Sequence, residues 1–312
     1  MYRRPSTLLM VTAAAVAVMT ATAGCEAKVY GTPPSPSSPP LTVVAPLGSM
    51  APLPEAPPDE PAVAFMGLDM RERQASAEAS KSGANLTVAV LDRNTGQLIT
   101  NGGGTIAIAS VVKLFIADDL LLQVSKGQTQ LSSDDRAAFD RMLRSSDDSA
   151  AETFWNRSGG SAIINRVVAR YGLTSTHAPG NGRWFNTIST VTDLVHYYDM
   201  MLAGSGGLPP EQANLILSNL AASTPTAPDG MVPGGVYPQR FGIPEGLYAE
   251  PVAVKQGWMC CIGSDWLHLS TGVIGPDRRY VMAISSMQAT NADDARATIT
   301  QAVKTMFPGG RI

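Results

Sequence analysis

Ile108-Ala109-Ser110-Val111-Val112-Lys113-Leu114-Phe115-Ile116 is the stretch whose reading decides the fold. Its apolar residues follow one another at helical spacing, and Ser110 and Lys113 fall three apart on one face. A positive charge in the first helical turn opposes the helix macrodipole, so a lysine there needs a local reason. A Ser-x-x-Lys pair supplies one. The amine lies close enough to take the hydroxyl proton, and a helix N-terminus favours a developing oxyanion. The same residues also read as a capping serine and a lysine that snorkels to solvent, and the pair alone does not choose between them.

Two further segments follow in order. Met142-Leu143-Arg144-Ser145-Ser146-Asp147-Asp148-Ser149-Ala150-Ala151-Glu152 contains Ser146-Asp147-Asp148, with Gly159-Gly160 beyond it, and Lys255-Gln256-Gly257 lies on an expected late strand. Ser133-Asp134-Asp135 repeats the second pattern, but it sits at an expected helix start with Arg136 behind it, where capping explains it. The three segments together resemble the Ser-x-x-Lys, Ser-Asp-Asn and Lys-Thr-Gly boxes of the serine β-lactamases and penicillin-binding proteins. The resemblance is nearest to the class A β-lactamases and covers most of residues 68–308. It implies an α+β, β-lactamase/transpeptidase-like fold: an antiparallel five-stranded sheet flanked by helices, with a helical lobe.

Carried onto this chain, the resemblance makes Ser110 the acyl-accepting nucleophile and Lys113 its proton partner. Ser146 would relay a proton between Lys113 or Lys255 and the leaving nitrogen, and Lys255 would supply positive potential for a substrate carboxylate. Backbone N–H groups of Ser110 and Trp258 would form an oxyanion hole, each donor worth ~3 kcal/mol. Asp148, Gln256, Trp258 and His268 fall at substrate-binding positions. His268 stands where many relatives carry an arginine for the substrate carboxylate; a strand histidine satisfied by a backbone carbonyl is the other reading.

The pattern breaks in three places. The stretch His177-Ala178-Pro179-Gly180-Asn181-Gly182-Arg183-Trp184-Phe185-Asn186-Thr187 corresponds to the loop on which class A enzymes carry a deacylating glutamate, and it contains no carboxylate. Asp148 replaces the usual asparagine, and a carboxylate beside Lys113 would hold that lysine protonated, the alternative being that Asp148 takes the proton itself. Gln256 replaces a hydroxyl residue, and the bulky Trp258 follows the glycine. Two kinds of function are consistent with this set: a serine acyl-enzyme (peptidase, esterase or weakly β-lactam-acylated protein), and a non-catalytic envelope-binding relative.

The rest of the chain sets the context. Arg3 and Arg4 precede the apolar stretch Leu8 to Met19, which is short for a membrane span. It ends at Thr22-Ala23-Gly24-Cys25, which resembles a bacterial lipobox, though leucine is usual where Thr22 stands. Residues 1–25 therefore read as a lipoprotein signal ending at a lipidated Cys25, the alternative being an ordinary secretory signal with an incidental cysteine. Residues 26–62, with Pro33-Pro34-Ser35-Pro36-Ser37-Ser38-Pro39-Pro40, read as a disordered tether, and 63–312 as the domain. The expected location is the extracytoplasmic face of the cell membrane, held through the lipid, with a peptidoglycan-like or other envelope substrate and a monomeric chain. In that setting Cys260 and Cys261 read as two free, mostly buried thiols, although at a hairpin tip neighbouring cysteines can bridge.

With 312 residues and a net charge of −3 there is no basic stripe for nucleic acid. Three histidines and three cysteines are too scattered for a zinc site, and no phosphate-binding glycine loop or Gly-x-Ser-x-Gly elbow is present, so neither metal nor cofactor is expected. Periodicity predicts a helix over Met66–Lys81, strands over Asn85–Leu91 and Gln97–Thr100, and a run of helices over Ser133–Leu143, Ser149–Trp155, Ser161–Tyr171, Thr190–Leu202 and Pro210–Asn219. Strands over Pro251–Cys261, Trp266–Ile274 and Arg279–Ser286 and a closing helix over Asn291–Met306 complete the expectation.

Overall fold

The computed structural model describes residues 65–312. The expected signal segment, Cys25 and the tether lie outside the described residues. Helix α1 (Leu68–Lys81) is entered through Gly67, whose φ of 69° lies in the left-handed region, so the helix starts two residues later than periodicity predicts. Strand β1 (Ala84–Asp92) turns into β2 (Gln97–Thr100), and the short β3 (Ile106–Ala107) leads to the Ser110 segment. Helices α2 (Lys113–Ser125), α3 (Ser133–Arg144), α4 (Asp148–Arg157) and α5 (Ala162–Tyr171) follow. The chain then runs through β4 (Ile188–Ser189), α6 (Val191–Ala203), α7 (Pro210–Ala221), β5 (Thr226–Pro228), β6 (Val236–Pro238) and α8 (Ile243–Gly246). It closes with β7 (Val252–Ile262), β8 (Asp265–Ile274), β9 (Tyr280–Gln288) and α9 (Ala292–Met306).

The main sheet has the order β2-β1-β9-β8-β7 and is antiparallel throughout. It is the expected α+β arrangement. The first and last thirds of the domain meet in its centre, where Val88 faces Ile284 across β1 and β9. Alternation along a strand sends successive side chains to opposite faces. Leu86, Val88, Val90, Met282 and Ile284 join the core that also holds Leu68, Ile299 and Val303 of α1 and α9. Ala89, Val281 and Ala283 enter the second core, shared with the helical lobe.

Several helix ends are set by side chains that take orphan backbone N–H groups. Asp147 accepts from Ala150 N, Thr190 from Asp193 N and Asn291 from Asp294 N. At α3 the cap is Ser132, in a reciprocal capping box with Asp135, one residue before the serine that sequence reading placed there. The short pairs β3–β4 and β5–β6 had no sequence signal, because two- and three-residue strands show no periodicity.

Helix α2 is the centre of the lobe. Every side chain from Lys113 to Leu122 is buried, so the helix is covered all round. Its two buried carboxylates must then be paired. Asp118 is held by Arg170 and accepts hydroxyls from Tyr171 at 2.5 Å and Tyr197 at 3.2 Å. Asp119 takes a two-pronged bond from Arg166, at 2.8 and 2.7 Å.

Candidate active site

The sequence Ala109–Val112 forms a single 3-10 turn that delivers the chain into α2 at Lys113. Ala109, immediately before Ser110, has φ 44°, and Ser146 has φ 55°. Positive φ is uncommon outside glycine and holds only where the surroundings over-determine it. The two strained positions lie beside or at the two hydroxyls of the site.

Lys113 and Ser110 are brought together as their spacing predicts. The fully buried Lys113 Nζ lies 2.8 Å from Ser110 Oγ, 3.0 Å from Ser146 Oγ, 2.7 Å from the Ser146 carbonyl oxygen and 2.5 Å from Asp148 Oδ1. Lys255 arrives from β7 and donates to Ser146 Oγ at 2.9 Å and to its neighbour's carbonyl, Gln256 O, at 3.1 Å. A continuous chain of contacts thus runs Ser110–Lys113–Ser146–Lys255. The indole of Trp184 stacks near the same amine, with Nζ 4.8 Å from the ring centroid, and is itself fixed by donating Nε1–H to Glu152 at 2.9 Å.

Four oxygens around one amine limit how its protons can be arranged. A carbonyl oxygen and a carboxylate only accept, so Ser146 O and Asp148 Oδ1 occupy two Nζ protons. The two hydroxyls are the partners able to donate back if Nζ is neutral. Burial lowers the Lys113 pKa below its ordinary value, and the nearby Asp148 carboxylate pulls the other way without overcoming it. Desolvation of the wholly enclosed ammonium is the larger effect, and Asp148 works against it in the direction expected of a neighbouring carboxylate. For Lys255 burial is again the first cause, the charge of Lys113 adds to it, and its pKa sits well below the usual lysine range.

Strand β7 reaches the Ser110 turn only because residue 257 is glycine. A Cβ there would stand 2.7 Å from the Ile108 carbonyl oxygen. Beside this approach lies a cleft of about 360 Å³ with Ser110, Ser146 and Asp148 on its lining. Trp184, Phe185 and Asn186 line it from the stretch before β4, Gly230 and Met231 from the β5–β6 connection, and Trp258 to Cys261 from β7. Gly230 lies close against Asp148; a Cβ on it would come within 2.5 Å of Asp148 Oδ2.

Two expected substrate-binding residues are placed elsewhere. Gln256 alternates with Lys255 along β7, so it points away from the Lys255 side and donates Nε2–H to Phe241 O at 2.8 Å while buried. His268, opposite Trp258 on β8, is fully buried among Tyr237, Phe241 and Trp266, with Nε2 2.7 Å from the Tyr237 hydroxyl. Burial pushes its pKa down to about 3, with Arg296 adding to the effect, so the ring is neutral at ordinary pH. Neither side chain faces the cleft, and a neutral imidazole cannot stand in for a carboxylate-binding arginine. His177 is exposed and is not on the cleft lining.

Cys260 and Cys261 are not free thiols. They are joined to each other in a disulfide across a cis peptide at the cleft rim, and Cys261 is exposed. The strand becomes irregular between Met259 and Ile262, which removes the regular alternation that would have kept the sulfurs apart. Among the described residues no His, Cys, Asp and Glu group is arranged to hold a metal ion.

Ser110, Lys113, Ser146 and Lys255 are thus gathered from the 3-10 turn before α2, the start of α2, the α3–α4 junction and β7. Lipoprotein LppW of Mycobacterium bovis (strain ATCC BAA-935 / AF2122/97) and of Mycobacterium tuberculosis (strain H37Rv) are each 57% identical to the chain over 323 residues, covering the whole of both sequences. The chain belongs to the LppW family. That family is named as lipoproteins, and among the described residues no helix is long and apolar enough to cross a membrane. No protein-family profile matches the chain.

Solved structures give the fold. PBP-A superposes with a TM-score of 0.62 at 18% identity, covering 80% of this chain and 96% of its own. A β-lactamase from Chitinophaga pinensis DSM 2588 gives 0.59 at 15% identity, covering 76% and 97%. An ancestral class A β-lactamase, GNCA, gives 0.59 at 20% identity, covering 75% and 98%. This LppW-family chain therefore has the β-lactamase/transpeptidase-like fold. Sequence reading missed the cleft walls built by Phe185 and Met231. Both come from stretches with no regular period, and nothing in their local sequence points them at Ser110.

Proposed function

We propose that this chain is an envelope lipoprotein, anchored through an acylated Cys25 on the extracytoplasmic face, whose domain carries a serine acyl-enzyme site. The observation that carries the proposal is the contact chain Ser110 Oγ–Lys113 Nζ–Ser146 Oγ–Lys255 Nζ, at 2.8, 3.0 and 2.9 Å. Lys113, lowered by burial, is the base for Ser110. Ser146 carries the proton onward to the leaving group, with Lys255 holding its hydroxyl in place. Backbone N–H groups of Ser110 and Trp258 receive the oxyanion.

The stretch from His177 to Thr187 offers no carboxylate to activate a deacylating water, so a β-lactam acyl-enzyme is long-lived and steady-state penicillin hydrolysis is slight. A second reading, a non-catalytic binding protein, draws support from the 2.5 Å Asp148–Lys113 pair, which keeps part of the amine's donor capacity engaged.

The test uses the full chain purified in detergent, exposed to a fluorophosphonate probe and to a fluorescent penicillin, with Ser110→Ala as the blank. Labelling at Ser110 supports the enzyme. Silence with both reagents favours the binding protein. Cys25→Ala should move the protein from the membrane to the soluble fraction or leave its signal uncleaved; unchanged membrane partitioning together with an unmodified mature N-terminus would refute the anchor.

A further inference from the structure

We infer that the cleft beside Ser110 takes an uncharged ester with an apolar acyl group and discriminates against substrates that carry a carboxylate. The inference rests on the acyl-enzyme reading above and goes on to name its substrate class. It starts from what lines the cleft. Asp148 is the one charged side chain on the lining among the described residues, and it is half-exposed at 48%. Apart from the two site serines and the neutral amide of Asn186, the side chains on the walls are apolar or sulfur-bearing, among them Trp184, Phe185, Met231, Met259 and the Cys260–Cys261 disulfide.

An anionic substrate needs a cation it can reach. Lys113 and Lys255 both lie beneath the lining, 0% and 1% exposed, and their donors are engaged with Ser110, Ser146, Asp148 and Gln256 O. His268, at the position the family resemblance assigns to a carboxylate-binding arginine, is enclosed by aromatic rings on the far side of the strand. A carboxylate entering the cleft would meet Asp148 with no accessible positive partner, and removal of a charge from water without a partner is costly.

An apolar acyl group meets favourable surface instead, because each apolar area withdrawn from water stabilises binding. That surface continues past the mouth. Met231 lines the cleft while 49% exposed, and its neighbour Val232 is 56% exposed. The wall is therefore long enough to reward chains beyond acetyl.

The step balances without a further reactant. Ser110 Oγ bonds to the ester carbonyl carbon, its proton passes to Lys113 Nζ and on to the leaving alkoxide oxygen, and the C–O bond breaks to release the alcohol. Water then adds to the acyl-serine carbon, the serine C–O bond breaks, Ser110 regains its proton and the carboxylic acid departs.

The experiment compares p-nitrophenyl butyrate with mono-p-nitrophenyl succinate, a substrate of similar reach bearing a terminal carboxylate. Both are measured on the full chain in detergent, against Ser110→Ala, with fluorophosphonate labelling run in parallel. The expected result is labelling at Ser110, kcat/KM for butyrate higher by about tenfold or more, and a further rise from acetate to butyrate. Asp148→Asn should narrow the butyrate-to-succinate ratio whatever it does to the absolute rates. In the unsubstituted protein, added salt should narrow the ratio too, because Asp148 is partly in solvent. Labelling at Ser110 with succinate turned over as fast as butyrate would overturn the substrate inference and leave the acyl-enzyme reading standing. No labelling, and hydrolysis no faster than Ser110→Ala, would overturn both.

Discussion

Asp148 is the residue on which the chemistry of the site turns. Its carboxylate lies 2.5 Å from Lys113 Nζ and raises that lysine's pKa against the larger lowering caused by burial. Asp148→Asn removes the raising influence, so the Lys113 pKa falls further; a close opposite charge is worth about 1–3 pKa units. The neutral, basic form then predominates at lower pH. Single-turnover labelling of Ser110 should quicken by about tenfold near neutrality, and its rise with pH should move acidward. An identical pH profile in the two proteins would sink the Asp148–Lys113 coupling, and a collapse of labelling would make Asp148 itself the base. His268 gives a second residue-level prediction. Burial holds its pKa at about 3, below the ordinary 6.5. Between those values the unfolded chain takes up the proton and the folded chain does not, so this contribution is complete above about pH 6.5 and is lost as pH falls toward 3. Urea denaturation at pH 7 and pH 4.5 should show a smaller acid loss for His268→Gln than for the parent.

Among the elements, β7 carries the most consequence. It presents Lys255 to Ser146 and turns Gln256 to the opposite side, and it passes so close to the Ser110 turn that a Cβ at residue 257 would meet Ile108 O at 2.7 Å. Gly257→Ala should displace the strand from that turn. Overpacking of this kind costs about 1–3 kcal/mol, and labelling of Ser110 should fall by about tenfold or more, because small displacements of reacting groups are expensive. Thermal melting and labelling on the same sample check both parts; a variant that labels at the parent rate would show that the approach is not required. Element existence was legible from local pattern. Thr190 and Asn291 cap the helices predicted to begin with them, and the three late strands fall within two residues of their predicted ends. Gly67 displaced the start of α1 because its left-handed φ is incompatible with the helix that the apolar spacing alone suggested.

For the molecule as a whole, the helical lobe is fastened through the enclosed carboxylate of Asp118. Arg170, Tyr171 and Tyr197 bring α5 and α6 onto it. Arg170→Met leaves that carboxylate without its cation, and breaking one side of a buried pair typically costs about 3–5 kcal/mol. Chemical denaturation should show a loss of this size; a change below about 1 kcal/mol, the scale of an exposed pair, would mean that the ion pair is not needed to hold the lobe. The amino-acid sequence by itself determined the order of the elements, the Ser110–Lys113 juxtaposition and the kinship of its three motifs, because helical spacing, caps and strand alternation act over a few residues. Only the tertiary structure decided what those motifs face. Lys255 meets Ser146 across 109 positions, Asp148 lies against Gly230, and His268 is enclosed rather than open to the cleft. The Cys260–Cys261 bridge likewise depends on an irregularity between β7 and β8. Such placements follow from strand register and from the packing of segments distant in the chain, and a register shift of one residue would turn each side chain to the other face.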